Sequence, residues 1–326
     1  MLENRKVLFL TPEFYNYPGL IKQTLEKMGA LVDLLYNRPT DRISKLIQTF
    51  FAGAYENTKQ RYFNKLARRL GAEYDFILII RADLIPMTFL QYLKLSYPGA
   101  RFIQYVWDDI NLFPRLLDTF KYFDKILSYN FDDCQKFGLY FRPFFFIERK
   151  NANENNLPVN KEVFFIGAYH TDRLKIIENI IRLNPYINLH SHFYINPITA
   201  ILARIPVRKL HFFKFRKMKY SEMLDVIEKS AAVIDIQNIS QHGLTTRVFE
   251  ALGAGIKIIT VNENIIKYDF YEKENILLIN RDNPVIEESW LDLPYKHYDE
   301  STIQNYHIEN WAADVFEFRN KNENKI

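Results

Sequence analysis

Apolar residues fall in short runs separated by longer amphipathic stretches, and the two alternate along the whole chain. Val7–Leu10 reads as a strand that ends in the loop Thr11-Pro12-Glu13-Phe14. Leu20 to Met28 reads as a helix stopped by Gly29. Leu31–Tyr36 follows as a strand, and Arg42 to Leu70 is mainly helical, with apolar residues at mixed three- and four-residue spacing. Phe76–Ile80, Phe102–Trp107 and Ile126–Tyr129 are further strands, with Phe89–Leu95 in a helix between the first two. Strands that alternate with helices predict a parallel sheet covered on both faces.

The pattern breaks between Glu148 and Lys161, where Asn151–Asn156 is polar and has no apolar period. It then resumes. Val163–Ile166, Leu189–Ile195, Ala231–Ile236, Ile256–Val261 and Ile276–Ile279 read as strands. Asp172–Leu183, with Asp172 as its cap, and Tyr220–Lys229 read as helices, and Ser301–Phe318 as one final helix. The expected organisation is an α/β protein of two Rossmann-like domains facing a cleft. The first spans 1–148, a linker 149–160, the second 161–300, and a C-terminal helix and tail 301–326. Ligands in such sheets bind beyond the carboxyl ends of the strands. The loops after Leu10, Ile80, Trp107, Ile166 and Ile236 should therefore line the site.

Composition narrows the class. A chain of 326 residues suits two ordinary domains. The net charge of +4 does not call for nucleic acid, and none is expected as a partner. Cys134 is the single cysteine, so no internal disulfide forms, and the side chain reads as a small buried hydrophobe. The apolar start is too short for a signal peptide, and no stretch reaches the ~20 apolar residues of a membrane span. The expected location is the cytoplasm, peripheral at the inner face of a membrane.

One segment carries the chemistry. Gln241-His242-Gly243-Leu244-Thr245-Thr246-Arg247-Val248-Phe249-Glu250 lies between two buried strand-like runs and opens a helix. A glycine turn, two hydroxyls and an arginine at a helix start form a phosphate site, because free backbone N–H groups and the helix dipole attract an anion. Glu250, one to two turns on, is placed for a sugar diol, which a carboxylate can take with two hydrogen bonds. A nucleotide-sugar pocket is the implied ligand site. The bland alternative is a plain helix entry with a solvated arginine.

Gly243-Leu-Thr-Thr-Arg-Val-Phe-Glu250 with Ala251-Leu-Gly-Ala-Gly255 resembles GT-B glycosyltransferases of the bacterial polysaccharide-synthesis, CgeB-like type. So do Val163–Gly167 with Arg173, Tyr105–Asp109 with Tyr122–Ser128, and Tyr268–Tyr271 with Asn275-Ile276. The resemblance implies a donor nucleotide in the second domain, an acceptor in the first, no obligatory metal or other cofactor, and a last helix that crosses back. It also implies that Glu250 holds the ribose and that Thr245, Thr246 and Arg247 hold the diphosphate leaving group. His242 stands eight residues before Glu250, where the commonest retaining pattern has a second glutamate, so donor sugar and stereochemistry stay open.

Other candidates follow from strand ends. Gly167, with Tyr169, His170 and Arg173, is a second donor-side group: the glycine admits a ligand to the backbone and the arginine offers a fork to phosphate. A β-turn with a surface arginine explains it equally. The glycines do not form GxGxxG and no Walker lysine follows, which disfavours hydride and phosphoryl transfer. An inverting transferase needs a base beside the acceptor hydroxyl. Glu13, Asp83, Asp108 and Asp109 are the carboxylates at strand ends, Asp83 or Asp108 being preferred, with Trp107 available to stack on a sugar. A retaining enzyme does without such a base. Asp132-Asp133 reads as a helix start, and no His/Cys cluster supports a metal.

Arg204–Lys219 contains seven Lys/Arg and no acid, interleaved with Leu210, Phe212, Phe213 and Phe215. It suits an anionic membrane surface carrying a lipid-linked acceptor, or RNA, or simply a strand with a basic edge. The expected function is transfer of a sugar from a nucleotide-sugar to a glycan or glycolipid acceptor in surface polysaccharide synthesis. The alternatives are a sugar-nucleotide epimerase of the same fold and a non-catalytic nucleotide-sugar or glycan-binding subunit.

Overall fold

The computed structural model describes residues 2–147, 161–170 and 172–317. The predicted linker, 149–160, lies outside them. The chain divides into two compact units.

The first unit runs to Pro143. Its strands are β1 Lys6–Thr11, β2 Leu31–Tyr36, β3 Phe76–Ile80, β4 Arg101–Val106, β5 Lys125–Ser128 and β6 Tyr140–Phe141. They form one parallel sheet in the order β2-β1-β3-β4-β5-β6. Its helices are α1 Tyr17–Lys27, α2 Arg42–Phe50, α3 Ala52–Ala67, α4 Met87–Ser96, α5 Leu116–Thr119 and α6 Phe131–Phe137. The apolar runs that predicted strands are buried on both faces: all five residues of β3 are buried. Asp132 and Asp133 lie in the first turn of α6, as expected; Asn130 caps it, accepting from Asp132 N at 3.0 Å, and Asp133 Oδ2 accepts from Ile110 N at 2.9 Å. Cys134 is buried, as predicted.

The second unit spans Phe144–His307. Its strands are β7 Glu162–Ala168, β8 Asn188–Tyr194, β9 Phe213–Lys214, β10 Ala232–Asp235, β11 Lys257–Thr260 and β12 Ile276–Leu278, parallel in the order β12-β11-β10-β7-β8-β9. Its helices are α7 Arg173–Leu183, α8 Pro197–Leu202, α9 Tyr220–Ile227, α10 Thr246–Ala254, α11 Glu288–Asp292 and α12 Glu300–Asn305. In both sheets the strand order reverses once, between β1 and β3 in the first and between β7 and β10 in the second. The carboxyl ends at those points are where doubly wound sheets open a crevice.

Three expectations change. The predicted single helix Ser301–Phe318 is two helices, α12 and α13 Ile308–Phe316, interrupted at Tyr306-His307. Tyr306 is buried against Phe249 and Phe270, and its hydroxyl donates to Asp269 Oδ1 at 2.6 Å, which ends α12. After the break, α13 belongs to the first unit, where it packs against α1 and β4; Trp311 meets Tyr105 edge-on at 5.2 Å. Second, Arg204–Lys219 is not mainly strand: Val207–Phe212 is a 3₁₀ turn and only Phe213–Lys214 pairs. Third, Asp172 does not cap α7 with its side chain, which instead pairs with Arg281 at 2.8 Å.

Candidate functional site

At the reversal point of the second sheet, Arg173 ties the two diverging strands together. Its Nε donates to Ile236 O at 2.6 Å and its Nη1 to Ala168 O at 3.0 Å, one carbonyl just beyond the end of β10 and one at the end of β7. Arg281, which sequence reasoning missed, holds the next residue, donating to Gln237 O at 2.6 Å while its Nε holds Asp172. Two guanidinium groups therefore converge on the carboxyl end of β10. Gly167 sits beside them, but a Cβ there would lie 2.9 Å from the Phe165 ring and 3.5 Å from Arg173 Nη1. The glycine makes room for the chain's own side chains. Tyr169 packs on Phe213 and Phe193, and His170 Nε2 lies 3.1 Å from Asn238 Nδ2.

The turn into α10 is anchored from two sides. Asn262 Nδ2 donates to the carbonyls of His242 and Gly243, both at 3.2 Å, and Asn264 Nδ2 donates to His242 O at 3.0 Å. His242 itself is exposed and Gly243 is buried. Thr245 is the N-cap: its hydroxyl accepts from Arg247 N at 3.2 Å and donates to Asp235 Oδ1 at 2.6 Å. A hydroxyl has one proton, and this one is given to Asp235. Thr245 therefore shapes the helix start and offers no donor to a phosphate, while Thr246 and the first N–H groups of α10 lie at the helix mouth. Asp235, also unseen in the sequence, is 4 % exposed and accepts from Thr260 Oγ1 at 3.3 Å as well. Burial pushes its carboxyl above the usual range, against the pull of the Thr245 bond and Arg173.

Arg247 and Glu250 form an ion pair one turn apart on α10, with the Glu250 side chain 1 % exposed and the Arg247 side chain 14 %. The ribose-holding carboxylate and the phosphate-holding arginine of the sequence reading thus face each other. The C-terminal half of the motif has a packing role. Gly255 ends α10 in the left-handed conformation at φ 67°, and Gly253 lies against Phe146, where a Cβ would stand 2.4 Å from the ring.

At the reversal point of the first sheet, Arg81 follows β3 with φ 60°, a rare conformation for a side-chain-bearing residue. Its Nε and Nη2 hold both oxygens of Asp83 at 2.8 Å, its Nη1 pairs with Asp108, and the guanidinium lies 3.6 Å over the Phe113 ring. The two preferred carboxylates are therefore brought together on one cation. The Asp83 side chain is 8 % exposed and that of Asp108 25 %. Burial raises the Asp108 carboxyl pKa, with Arg81 opposing. Asp109 is fully buried and takes the Tyr129 hydroxyl, whose pKa burial and that carboxylate drive well up. Beside Asp108, Trp107 meets Phe14 at 5.7 Å and Tyr17 at 6.1 Å, with Phe14 and Tyr15 exposed on the loop after β1. Tyr15 has φ 46°, a second bulky residue held in the left-handed region. The sequence pointed to this loop and to Phe14, but not to Tyr15.

No family model matches the sequence, and no curated protein matches it. Solved structures do match in three dimensions. Anabaena HepE, solved with UDP and glucose, superposes with a TM-score of 0.59 over 96 % of this chain and 98 % of its own, at 10 % identity. An alpha-glucosyltransferase in complex with UDP-glucose and DNA gives 0.55 over 96 % and 95 %, at 14 % identity. The lipopolysaccharide outer core galactosyltransferase WaaB gives 0.53 over 95 % and 98 %, at 10 % identity.

The fold is GT-B.

Its two parallel six-stranded sheets each carry a polar constellation at the reversal point. In this GT-B chain one is built on Arg173, Arg281 and the α10 N-terminus, the other on Arg81, Asp83, Asp108 and Trp107. Among the described residues no group of three or more His, Cys, Asp or Glu is placed to hold a metal ion. No helix among them is long and apolar enough to cross a membrane.

Proposed function

We propose that this chain is a nucleotide-sugar-dependent glycosyltransferase of the polysaccharide-synthesis, CgeB-like type. One observation carries the reading: an anchored, capped helix N-terminus opens at the carboxyl end of β10 beside two arginines, with Glu250 one turn inside it. HepE and the alpha-glucosyltransferase share this fold and were solved with UDP or UDP-glucose, which makes UDP the first nucleotide to test. The first N–H groups of α10 and the Thr246 hydroxyl take the diphosphate. Arg247 turns from Glu250 to the phosphates, and Glu250 takes the ribose hydroxyls in exchange. Donors fixed there stabilise the charge that develops on the departing nucleoside diphosphate.

On the acceptor side, Asp108 serves as the base, because Asp83 has both oxygens held by Arg81. Asp83 and Arg81 position Asp108, and Trp107 with Phe14 offers rings on which a sugar can stack. The acceptor is a glycan or glycolipid, and Arg204–Lys219 contacts the anionic membrane that carries a lipid-linked one. On this reading the protein works at the cytoplasmic face of that membrane.

Labelled nucleotide-sugars incubated with and without lipid-linked glycans test this reading. Label transferred only when an acceptor is present is the expected result. Acceptor-independent conversion of the nucleotide-sugar to an isomeric nucleotide-sugar, rather than to free sugar and nucleotide, would make the protein an epimerase. Nucleotide binding with no turnover under either condition would make it a binding subunit.

A further inference from the structure

The helix α2 exposes the side chains a helix ordinarily buries. Ile43, Leu46 and Phe50, at i, i+3 and i+7, lie along one helix face, and Phe51 follows at its end. Their exposures are 71, 55, 59 and 66 %, whereas Ser44 on the same helix is 6 % exposed. The helix is firmly started all the same: Asp41 caps it by accepting from Ser44 N at 2.9 Å. It packs on α3, which fixes the pair to the sheet through buried Phe63 and Leu66, and Tyr62 Oη donates to Tyr36 O at 2.6 Å. An apolar face is thus held outward on an anchored hairpin.

Charge says what covers it. Residues Arg38 to Gly71 contain eight Lys/Arg and two acids, a net +6 against +4 for the whole chain. Arg61, Lys65, Arg68 and Arg69 on or just after α3 are exposed and form no ion pair among the described residues. We infer that α2 is a membrane-interface helix that seats Ile43, Leu46, Phe50 and Phe51 in the headgroup boundary of an anionic bilayer, with the basic hairpin drawn to its phosphates. A second copy of the chain on this face would bring two strongly basic hairpins together, which opposes pairing. An RNA partner accounts for the cations but not for a row of Ile, Leu and Phe along one helix face. The inference concerns a surface in the first unit and does not rest on the donor-site reading.

Full-length protein is sedimented with phosphatidylcholine vesicles, with and without phosphatidylglycerol. Binding is expected only to the anionic vesicles, weakening with salt, and falling by roughly tenfold or more in Leu46→Glu and Phe50→Glu. Both positions are exposed, and circular dichroism checks that the variants fold. Phe50→Trp reads insertion directly: its emission should shift to the blue on anionic vesicles by more than that of the wild type. No sedimentation, or unshifted emission, overturns the proposal. So does loss of a self-associated species or of RNA retention in Phe50→Glu without vesicle binding by the wild type. Vesicle binding that survives Phe50→Glu but is lost in Arg208→Glu/Lys214→Glu also overturns it, by assigning the contact to the other unit. Nucleotide binding is measured separately, so failure here leaves the donor site untouched.

Discussion

Arg81 grips Asp83 with two hydrogen bonds of 2.8 Å and pairs its remaining nitrogen with Asp108. A bidentate grip fixes the guanidinium plane, so the orientation of Asp108 depends on Asp83 through Arg81. On the proposed function, two carboxylates that look equivalent in the sequence take different roles for that reason. Asp108→Asn should lower kcat by roughly 10²–10⁴-fold, as loss of a general base does. Asp83→Asn should cost less and act through Asp108.

The pH profile separates these roles. Burial raises the Asp108 pKa and Arg81 lowers it, so the base is protonated, and activity lost, as pH falls through a value above the ordinary carboxylate range. Arg81→Gln removes the cation and should move this acid limb to still higher pH. A limb that stays in place in Arg81→Gln, or that survives in Asp108→Asn, would remove Asp108 from the base role.

The Thr245–Asp235 bond predicts a stability effect. Thr245→Val removes the cap of α10, worth about 0.5–2 kcal/mol, and leaves Asp235 one hydrogen bond short. Urea unfolding should show the loss, and Thr245→Ser should restore most of it. Asp235 also predicts a pH effect. Its folded pKa is raised, so the folded state binds its proton more tightly, and stability falls as pH rises from the unfolded value through the folded one. Asp235→Asn should flatten that part of the stability–pH curve.

Gly253 and Phe146 form a test of packing. A Cβ at 253 would stand 2.4 Å from the Phe146 ring, so Gly253→Ala should destabilise by about 1–3 kcal/mol through overpacking. Phe146→Ala opens the space and is itself destabilising, but the double variant should be more stable than the sum of the two losses predicts. Additive losses would show that the two residues do not meet.

What the sequence shows and what it hides divide along contact range. Phe76–Ile80 is a continuous apolar run and Ala232–Asp235 one broken only by its last residue, and α10 announces itself by a turn, a cap and a closing glycine. The two-residue strands β6 and β9 are too short to leave a pattern. The break at Tyr306-His307 was hidden because the apolar period runs on through it; the cause is Asp269 and Phe270, some 36 or 37 residues earlier. The candidate site shows the same division. Thr245, Arg247 and Glu250 are local and legible, but the partner that takes the Thr245 proton lies on another strand. Arg281 reaches the site from a loop whose own sequence carries no motif. The outward face of α2 was invisible for another reason: its spacing reads as an ordinary buried stripe, and only exposure shows otherwise.

Calorimetric titration of UDP, GDP, dTDP and CMP into wild-type protein and into Glu250→Gln tests the central claim most directly. One nucleotide should bind the wild type, with UDP the first expectation. Glu250→Gln, which leaves one acceptor for a ribose diol and removes the charge opposite Arg247, should weaken it by roughly tenfold or more, the scale of one charge-assisted hydrogen bond. Binding of no nucleotide by folded wild-type protein, or equal binding by both proteins, would contradict a donor site at the N-terminus of α10.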